Sequence, residues 1–394
     1  MMKTYRDLRP TFPDQNDWTL PNILRRRSET HGDKVYLDVP FERAQLTFAQ
    51  TLDRAERIAA SWLDAGADPG DRVLIMAPNC SAVILSWFGA ALAGLVEVPI
   101  NTAYTGSFLE HQVRTVEPRL AVVHASYAGR FADISDAART IACFYVLGDP
   151  SERAEAIETF KAGGYFAESF EDLLGRQRAN LPEVRPSDLA SVFFTSGTTG
   201  LSKGVMMPHA QMTFFADECV SLTRLRADDV YMSVGPLFHG NAQFLAAYPA
   251  LIAGARFVVR ERFSASNWLP WARECNATVT NFVGVMMDFV WKQQSKPDDE
   301  DNDLRCVFAA PTASSILEPF KRRFGIEAFV EVFGLTETSM PILTPYGVAR
   351  PPGAAGLVAD EWFDVRLADP ETDEEVPYRS SSEPHKLIFR VRAC

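Results

Sequence analysis

Apolar positions along this chain follow two alternating periods. Between residues 47 and 65 they return every three or four places, which puts Leu52, Ala55, Ile58, Ala59, Trp62 and Leu63 on one face and predicts a helix. Thr47 and Gln50 have capping-box spacing at its start, and Gly66 stops it. After the turn Asp68-Pro69-Gly70-Asp71, apolar runs of strand length follow at 72–77, 95–99, 119–124 and 141–147, with helical segments between them. Such alternation is the pattern of βαβ units. The run from Val73 to Val96 contains no charge, but Pro78-Asn79 divides it into a strand, a buried helix over 80–93 and a second strand, so no membrane span is expected.

Residues 149–187 are polar, contain Gly163-Gly164 and close with Pro182 and Pro186, which predicts a connector. A second series then begins. Its strands are expected near 189–194, 229–234, 256–260, 278–283, 305–309 and 328–332, with helices near 208–223, 242–253, 264–275, 284–294 and 314–324. The fold class predicted is α/β, with two packed doubly wound sheets. From Pro351 the pattern changes to short strand-like pieces such as "DVRLA" and "KLIFRVR", the start of a small β subdomain. The expected division is 1–187, 188–350 and 351–394.

Composition narrows the function. A chain of 394 residues with 47% hydrophobic and 23% charged positions has enough apolar material for a large interior. A net charge of -12 argues against a nucleic-acid or anionic-membrane surface, because those need clustered Lys and Arg. Arg25-Arg26-Arg27 then reads as a solvated helix face, and the run from Asp298 to Asp301 as an exposed loop. The six scattered cysteines contain no CxxC and follow no secretory leader, so a reducing cytoplasm is expected and a catalytic cysteine is not.

One stretch concentrates chemistry. "SVFFTSGTTGLSKGV" runs from a strand-like segment into a loop holding Thr195, Ser196, Gly197, Thr198, Thr199, Gly200 and Lys203. Backbone N–H groups in a Gly-rich turn between a strand and a helix cradle anions, and the hydroxyls and lysine add donors for phosphate oxygens. A flexible Ser/Thr/Gly turn is the bland alternative. A Walker A loop is disfavoured, because that pattern places Gly before the Lys and Ser or Thr after it, whereas Ser202 and Gly204 flank Lys203 here.

"TSGTTGLSKGV" resembles the phosphate-loop signature of the adenylate-forming (AMP-binding, ANL) enzymes, acyl-CoA synthetases among them. Three further stretches resemble that family in order and spacing. "PLFHGNAQ" is similar to the segment whose aromatic or His residue, here His239, gates the acyl pocket. "FAAPTA" resembles the adenine-side loop, with Ala309, Ala310 and Pro311. "EVFGLTET" resembles the Y-G-x-T-E signature, with Glu331, Phe333 in the stacking position, Gly334, Thr336 and Glu337. The resemblance implies ATP, Mg²⁺ and coenzyme A. It assigns Thr336 to the α-phosphate and Glu337 to Mg²⁺, with Lys203 and His239 as further catalytic candidates. That chemistry is reasonable, because joining a carboxylate to ATP brings two anions together, and a hard-oxygen metal site with fixed donors offsets the repulsion.

"PLFHGNAQF", "RERFSAS", "TNFVGVMM" and "SEPHK" together look like the crotonobetaine/carnitine-CoA ligase branch, which implies that Asn241, Asn281, Gly284 and Met287 lie on the acyl side. Met286, Met287 and Phe244 read from the residues alone as core or lining. The reaction implied is that of an ATP-dependent carboxylic acid-CoA ligase, with an expected setting in fatty acid metabolism. The family's pattern continues with a "TGD" signature, a hinge and a small C-terminal lid bearing a lysine. Lys386, the last lysine here, stands in no such motif, so a chain without the lid and impaired in adenylation is expected. A nucleotide- or acyl-binding remnant, and an adenylating domain that loads a carrier protein, are the alternatives.

Overall fold

The computed structural model describes residues 4–175, 180–195, 201–310, 312, 315–349, 354–369, 371–376 and, for the backbone, 386–391. Its strands in chain order are β1 (Val35–Val39), β2 (Ala44–Thr47), β3 (Arg72–Met76), β4 (Val96–Pro99), β5 (Leu120–His124), β6 (Cys143–Leu147), β7 (Ala167–Ser169), β8 (Leu189–Thr195) and β9 (Lys203–Pro208). They continue with β10 (Val230–Ser233), β11 (Arg256–Val259), β12 (Val279–Val283), β13 (Cys306–Ala310), β14 (Ala328–Leu335), β15 (Ser339–Thr344), β16 (Leu357–Val358), β17 (Phe363–Ala368) and β18 (Lys386–Val391). The first sheet runs β7-β6-β5-β3-β4-β8-β9 and is parallel except at β9. The second runs β16-β15-β14-β13-β12-β10-β11-β1-β2 and is parallel from β14 to β1. Two mainly parallel sheets with helical crossovers are the α/β architecture expected. A separate antiparallel pair, β17-β18, lies in the C-terminal segment.

Sheet membership crosses the expected division at 187. β1 and β2 complete the second sheet, while β8 and β9 complete the first. The main core cluster accordingly draws Ile75, Tyr145 and Phe193 from one sheet and Tyr231, Phe257 and Phe308 from the other. Helix Phe48–Asp64 opens with the Thr47–Gln50 capping box. Helix Ser81–Leu92 is buried on nearly every side, as its unbroken apolar sequence requires. The two helices approach closely at Gly89, where a Cβ would lie 2.7 Å from Cγ2 of Ile58.

Three expectations need correction. Residues 149–187 are more than a connector, because Pro150–Ala162 is a helix, with Pro in its first turn, and β7 adds an edge strand. Its buried face is reduced to Ala156 and Phe160, too little for a periodic signal. Arg27 turns inward, its Nε donating to the Ile252 carbonyl at 2.8 Å, although Arg26 stays exposed and pairs with Asp17. Asp299 is buried and accepts from Arg323 Nε at 2.6 Å, so the acidic run is in part a structural tie. Among the described residues no helix is long and apolar enough to cross a membrane.

Candidate functional site

Strands β12, β13 and β14 run parallel and in register, Phe282 beside Ala309 and Ala309 beside Glu331. Their carboxyl ends open on a cavity of about 690 Å³. Parallel sheets gather ligands at this edge, and the volume suits a small organic molecule. The cavity brings together His239, Asn241, Ala310, Glu331, Phe333, Gly334 and Thr336, all of them expected from sequence. Glu331 is buried, and its carboxylate accepts from the backbone N–H of Thr312 at 3.3 Å and from the Thr312 hydroxyl. Phe333 presents a partly exposed ring to the same space.

Thr336 and Glu337 sit on the turn that joins β14 to antiparallel β15. The pairing shifts between Phe333 and Leu335, and Gly334 passes so close to the Ser339 carbonyl that any Cβ would collide with it. Thr338 N–H donates to Leu335 O at 3.1 Å to close the turn. Thr336 lines the cavity, while Glu337 is exposed beside it and outside the lining. Gln211, from helix His209–Thr223, donates its side-chain amide to the carbonyls of Thr336, at 3.2 Å, and Glu337, at 3.1 Å. No period or motif singled out Gln211, because its contacts with the turn are distant in sequence.

Ser196, Gly197, Thr198, Thr199, Gly200 and Pro311 lie outside the described residues. The residues flanking the loop correct its expected setting. Thr195 and Lys203 pair across antiparallel β8 and β9, so the loop joins two strands of a hairpin rather than a strand and a helix. Helix His209–Thr223 begins only after β9. Ser202 is held from a third element, with His111 Nε2 2.8 Å from its carbonyl and the Gln112 amide 3.4 Å from its hydroxyl. Lys203 is exposed.

On the other side of the cavity, His239 caps the short helix Gly240–Ala242, its Nδ1 accepting from Asn241 N–H at 3.1 Å. The ring opens to the cavity, yet the surrounding protein desolvates it and lowers its pKa below the ordinary histidine value. Asn241 also accepts, at Oδ1, from the buried Asn281 amide. The Asn281 amide lies 3.5 Å from the Asn241 backbone carbonyl as well, which fixes its N–H₂ toward Asn241. Phe215, Phe244, Leu245 and Met340 supply apolar wall. Of these, only Phe244 drew notice in the sequence; Leu245 and Met340 stand just past the motif stretches, and Phe215 comes from helix His209–Thr223.

Besides Glu337, the expected residues Thr195, Lys203, Asn281, Met287, Ala309 and Gly284 lie off the lining. Met287 is buried in the core with Trp268, Phe282 and Phe320, where a flexible apolar side chain fills space. Ala309 is interior to β13. Gly284, at φ +56°, turns the chain just past Val283, which does line the cavity.

Behind the wall, Glu97 of β4 is fully buried. It accepts from the Ser191 hydroxyl at 2.7 Å and from the Gln243 amide at 2.8 Å, and Gln243 also donates to Leu237 O. Burial pushes the carboxyl up to about 8, against the pull of those hydrogen bonds. The network ties the segment before His239 to the first sheet.

Residues 24–384 match the family model described as AMP-binding enzyme. A crotonobetaine/carnitine-CoA ligase of Salmonella paratyphi A is 31% identical over 326 residues, covering 80% of this chain and 60% of that protein. This chain therefore spans less than two thirds of the length of the curated relatives it matches. Among solved structures, the anthranilate-CoA ligase AuaEII in complex with anthranoyl-AMP superposes with a TM-score of 0.81 at 23% identity, covering 94% of this chain and 69% of the other. ATP-bound MatB from Rhodopseudomonas palustris gives a TM-score of 0.73 at 25% identity, covering 92% and 68%.

Proposed function

Because the chain belongs to the AMP-binding enzyme family, we propose that it forms the nucleotide- and acyl-binding part of an ATP-dependent carboxylic acid-CoA ligase. The observation that carries this reading is a single cavity lined by Phe333 and Thr336 on one side and by His239, Asn241 and Phe244 on the other. An adenine ring, an α-phosphate and an acyl group need such an arrangement. Phe333 stacks on adenine and Thr336 donates to the α-phosphate, while Lys203 and the loop before it hold the outer phosphates. The acid's carboxylate oxygen attacks the α-phosphorus, and the bond to pyrophosphate breaks to leave acyl-AMP. The thiol of coenzyme A then displaces AMP to give the thioester.

The donor set fits Mg²⁺. Among the described residues no cluster of three His, Cys, Asp or Glu side chains is placed to hold a metal by itself. Mg²⁺ at a nucleotide site is ordinarily held by one or two carboxylates, phosphate oxygens and water. Glu337, exposed next to Thr336, supplies such a carboxylate. Mg²⁺ bound there would offset charge on the phosphates. His239, neutral at physiological pH, orients the wall around Asn241 and does not place a positive charge beside the acyl group.

The test is calorimetric titration with acyl-sulfamoyl-adenosines that carry short, quaternary-ammonium, aromatic or long-chain acyl groups. Tight binding of one class supports the reading and names the acid. A folded chain that binds none of them, nor AMP, contradicts it.

A further inference from the structure

The turn that carries Thr336 and Glu337 contributes one backbone bond of its own, from Thr338 N to Leu335 O. The Thr336 and Glu337 carbonyls are thus left to water or to a side-chain donor. Both find the same donor, the Gln211 amide, in the first turn of helix His209–Thr223. Farther along this helix, buried Glu218 accepts from Met340 N–H at 3.3 Å, and the Leu222 carbonyl accepts from Tyr346 N–H at 3.0 Å. One helix thus holds the hairpin at its tip, at the start of β15 and beyond the end of β15.

The helix also follows directly from β9, the strand that opens with Lys203. Its start is fixed to the segment before β8, through His209 N–H to Asp188 O at 3.0 Å and Ala210 N–H to Pro186 O at 2.8 Å. The Lys203 strand and the Thr336–Glu337 turn, far apart in sequence, therefore share one rigid support.

The geometry points to Gln211 as the positioning residue of this site: its amide pins two successive turn carbonyls and so sets where the Thr336 hydroxyl and the Glu337 carboxylate stand relative to the Lys203 strand. The assignment rests on reading Thr336 and Glu337 as the phosphate and metal residues. Gln211 touches neither nucleotide nor metal in this scheme and acts through the backbone. A neutral amide suits the role, because it offers two N–H groups in a fixed plane and adds no charge beside the phosphates. Misplacing reactive groups by about 1 Å costs roughly 100-fold, so a side chain that fixes backbone matters out of proportion to its two bonds.

Two variants test this. Gln211→Leu removes the donors, and Gln211→Met removes them while keeping the length and neutrality of the side chain, so the second carries the test where the first fails to fold. Each is titrated calorimetrically with MgATP at several Mg²⁺ concentrations and with metal-free AMP, and melting temperature is recorded alongside. Weakening of MgATP by about 10-fold or more, a higher Mg²⁺ concentration for half-saturation and a smaller loss for AMP are the expected results. Wild-type affinity and Mg²⁺ requirement in a folded variant overturn the assignment. So does an equal loss for MgATP and AMP, which is what general loosening of the cavity produces. A wild-type chain that binds neither nucleotide removes the reading of the site itself, and the assignment with it, which separates the two failures.

Discussion

Gly334 and Ser339 face each other across the β14–β15 hairpin at a distance that leaves no room for a Cβ on residue 334. The obstacle is a backbone carbonyl, so no rotamer change relieves it. Gly334→Ala must displace the turn that bears Thr336 and Glu337. The expected cost is about 1–3 kcal/mol of stability, the usual range for overpacking, together with a clear loss of MgATP affinity. Thermal melts and calorimetry measure the two effects, and unaltered nucleotide binding would show that the turn does not position the phosphates.

Asn281 reaches the cavity through Asn241 alone. Its amide holds the Asn241 side chain by Oδ1 and sits behind the wall. Asn281→Leu strands that oxygen and frees Asn241 to rotate, at about 1–3 kcal/mol for an unsatisfied buried acceptor. The expected outcome is a changed preference among acyl-sulfamoyl-adenosines with little change in AMP affinity. An equal loss for all ligands, AMP included, contradicts a role confined to the acyl side.

Glu97 makes stability depend on pH with a definite sign. Its carboxyl titrates at about 8 in the folded chain, raised by desolvation from an ordinary value of 4.5. Between those values the folded state holds a proton that the unfolded state has released. Stability therefore falls as pH rises through the window and levels off above it, by on the order of a few kcal/mol. Gln in place of Glu97 keeps the neutral shape and removes the titration. Melting temperatures of Glu97→Gln between pH 5 and 9 should fall less steeply than those of the wild type. Asp217, raised to about 6, and Glu218, also raised, retain part of the slope. Identical slopes would mean that Glu97 is ionised in the folded protein.

His239 has the opposite behaviour. Desolvation lowers its pKa, and its Nδ1 is engaged as an acceptor for Asn241 N–H. Protonation of that nitrogen breaks the cap. Acyl-adenylate affinity is expected to be flat from pH 8 down to the ordinary histidine range near 6.5, with a fall only below it. His239→Ala should remove that acidic fall; an unchanged profile in the variant assigns the fall to another group.

The hydrophobic pattern located most of the parallel strands within a residue or two, because parallel buried strands are short unbroken apolar runs flanked by turn residues, but β14 runs three residues past the expected 332, where its residues become exposed. It missed the β1–β2 pair, whose mixed positions at Gln45 and Asp38 interrupt the run, β9, where Met206 is exposed and Val205 only partly covered, the short edge strand β7, and β15, whose run is broken by Pro341. Missing β9 put the loop after β8 against a helix instead of a second strand. The line of Phe333, Gly334 and Thr336 was legible because those residues are contiguous. Gln211 and Phe215 were not, since both come from helix His209–Thr223, an element brought to the site by packing.

The most direct measurement is a calorimetric titration of MgATP into the wild type, Glu337→Ala and Lys203→Ala, with and without Mg²⁺. Glu337→Ala should lose most of the Mg²⁺ dependence, and Lys203→Ala should weaken ATP more than AMP. Each loss should be about 10-fold or more, in line with the ~1.5–3 kcal/mol of a hydrogen bond to a charged group. Variants that bind MgATP as the wild type does, with the same response to Mg²⁺, would contradict the placement of the nucleotide in this cavity.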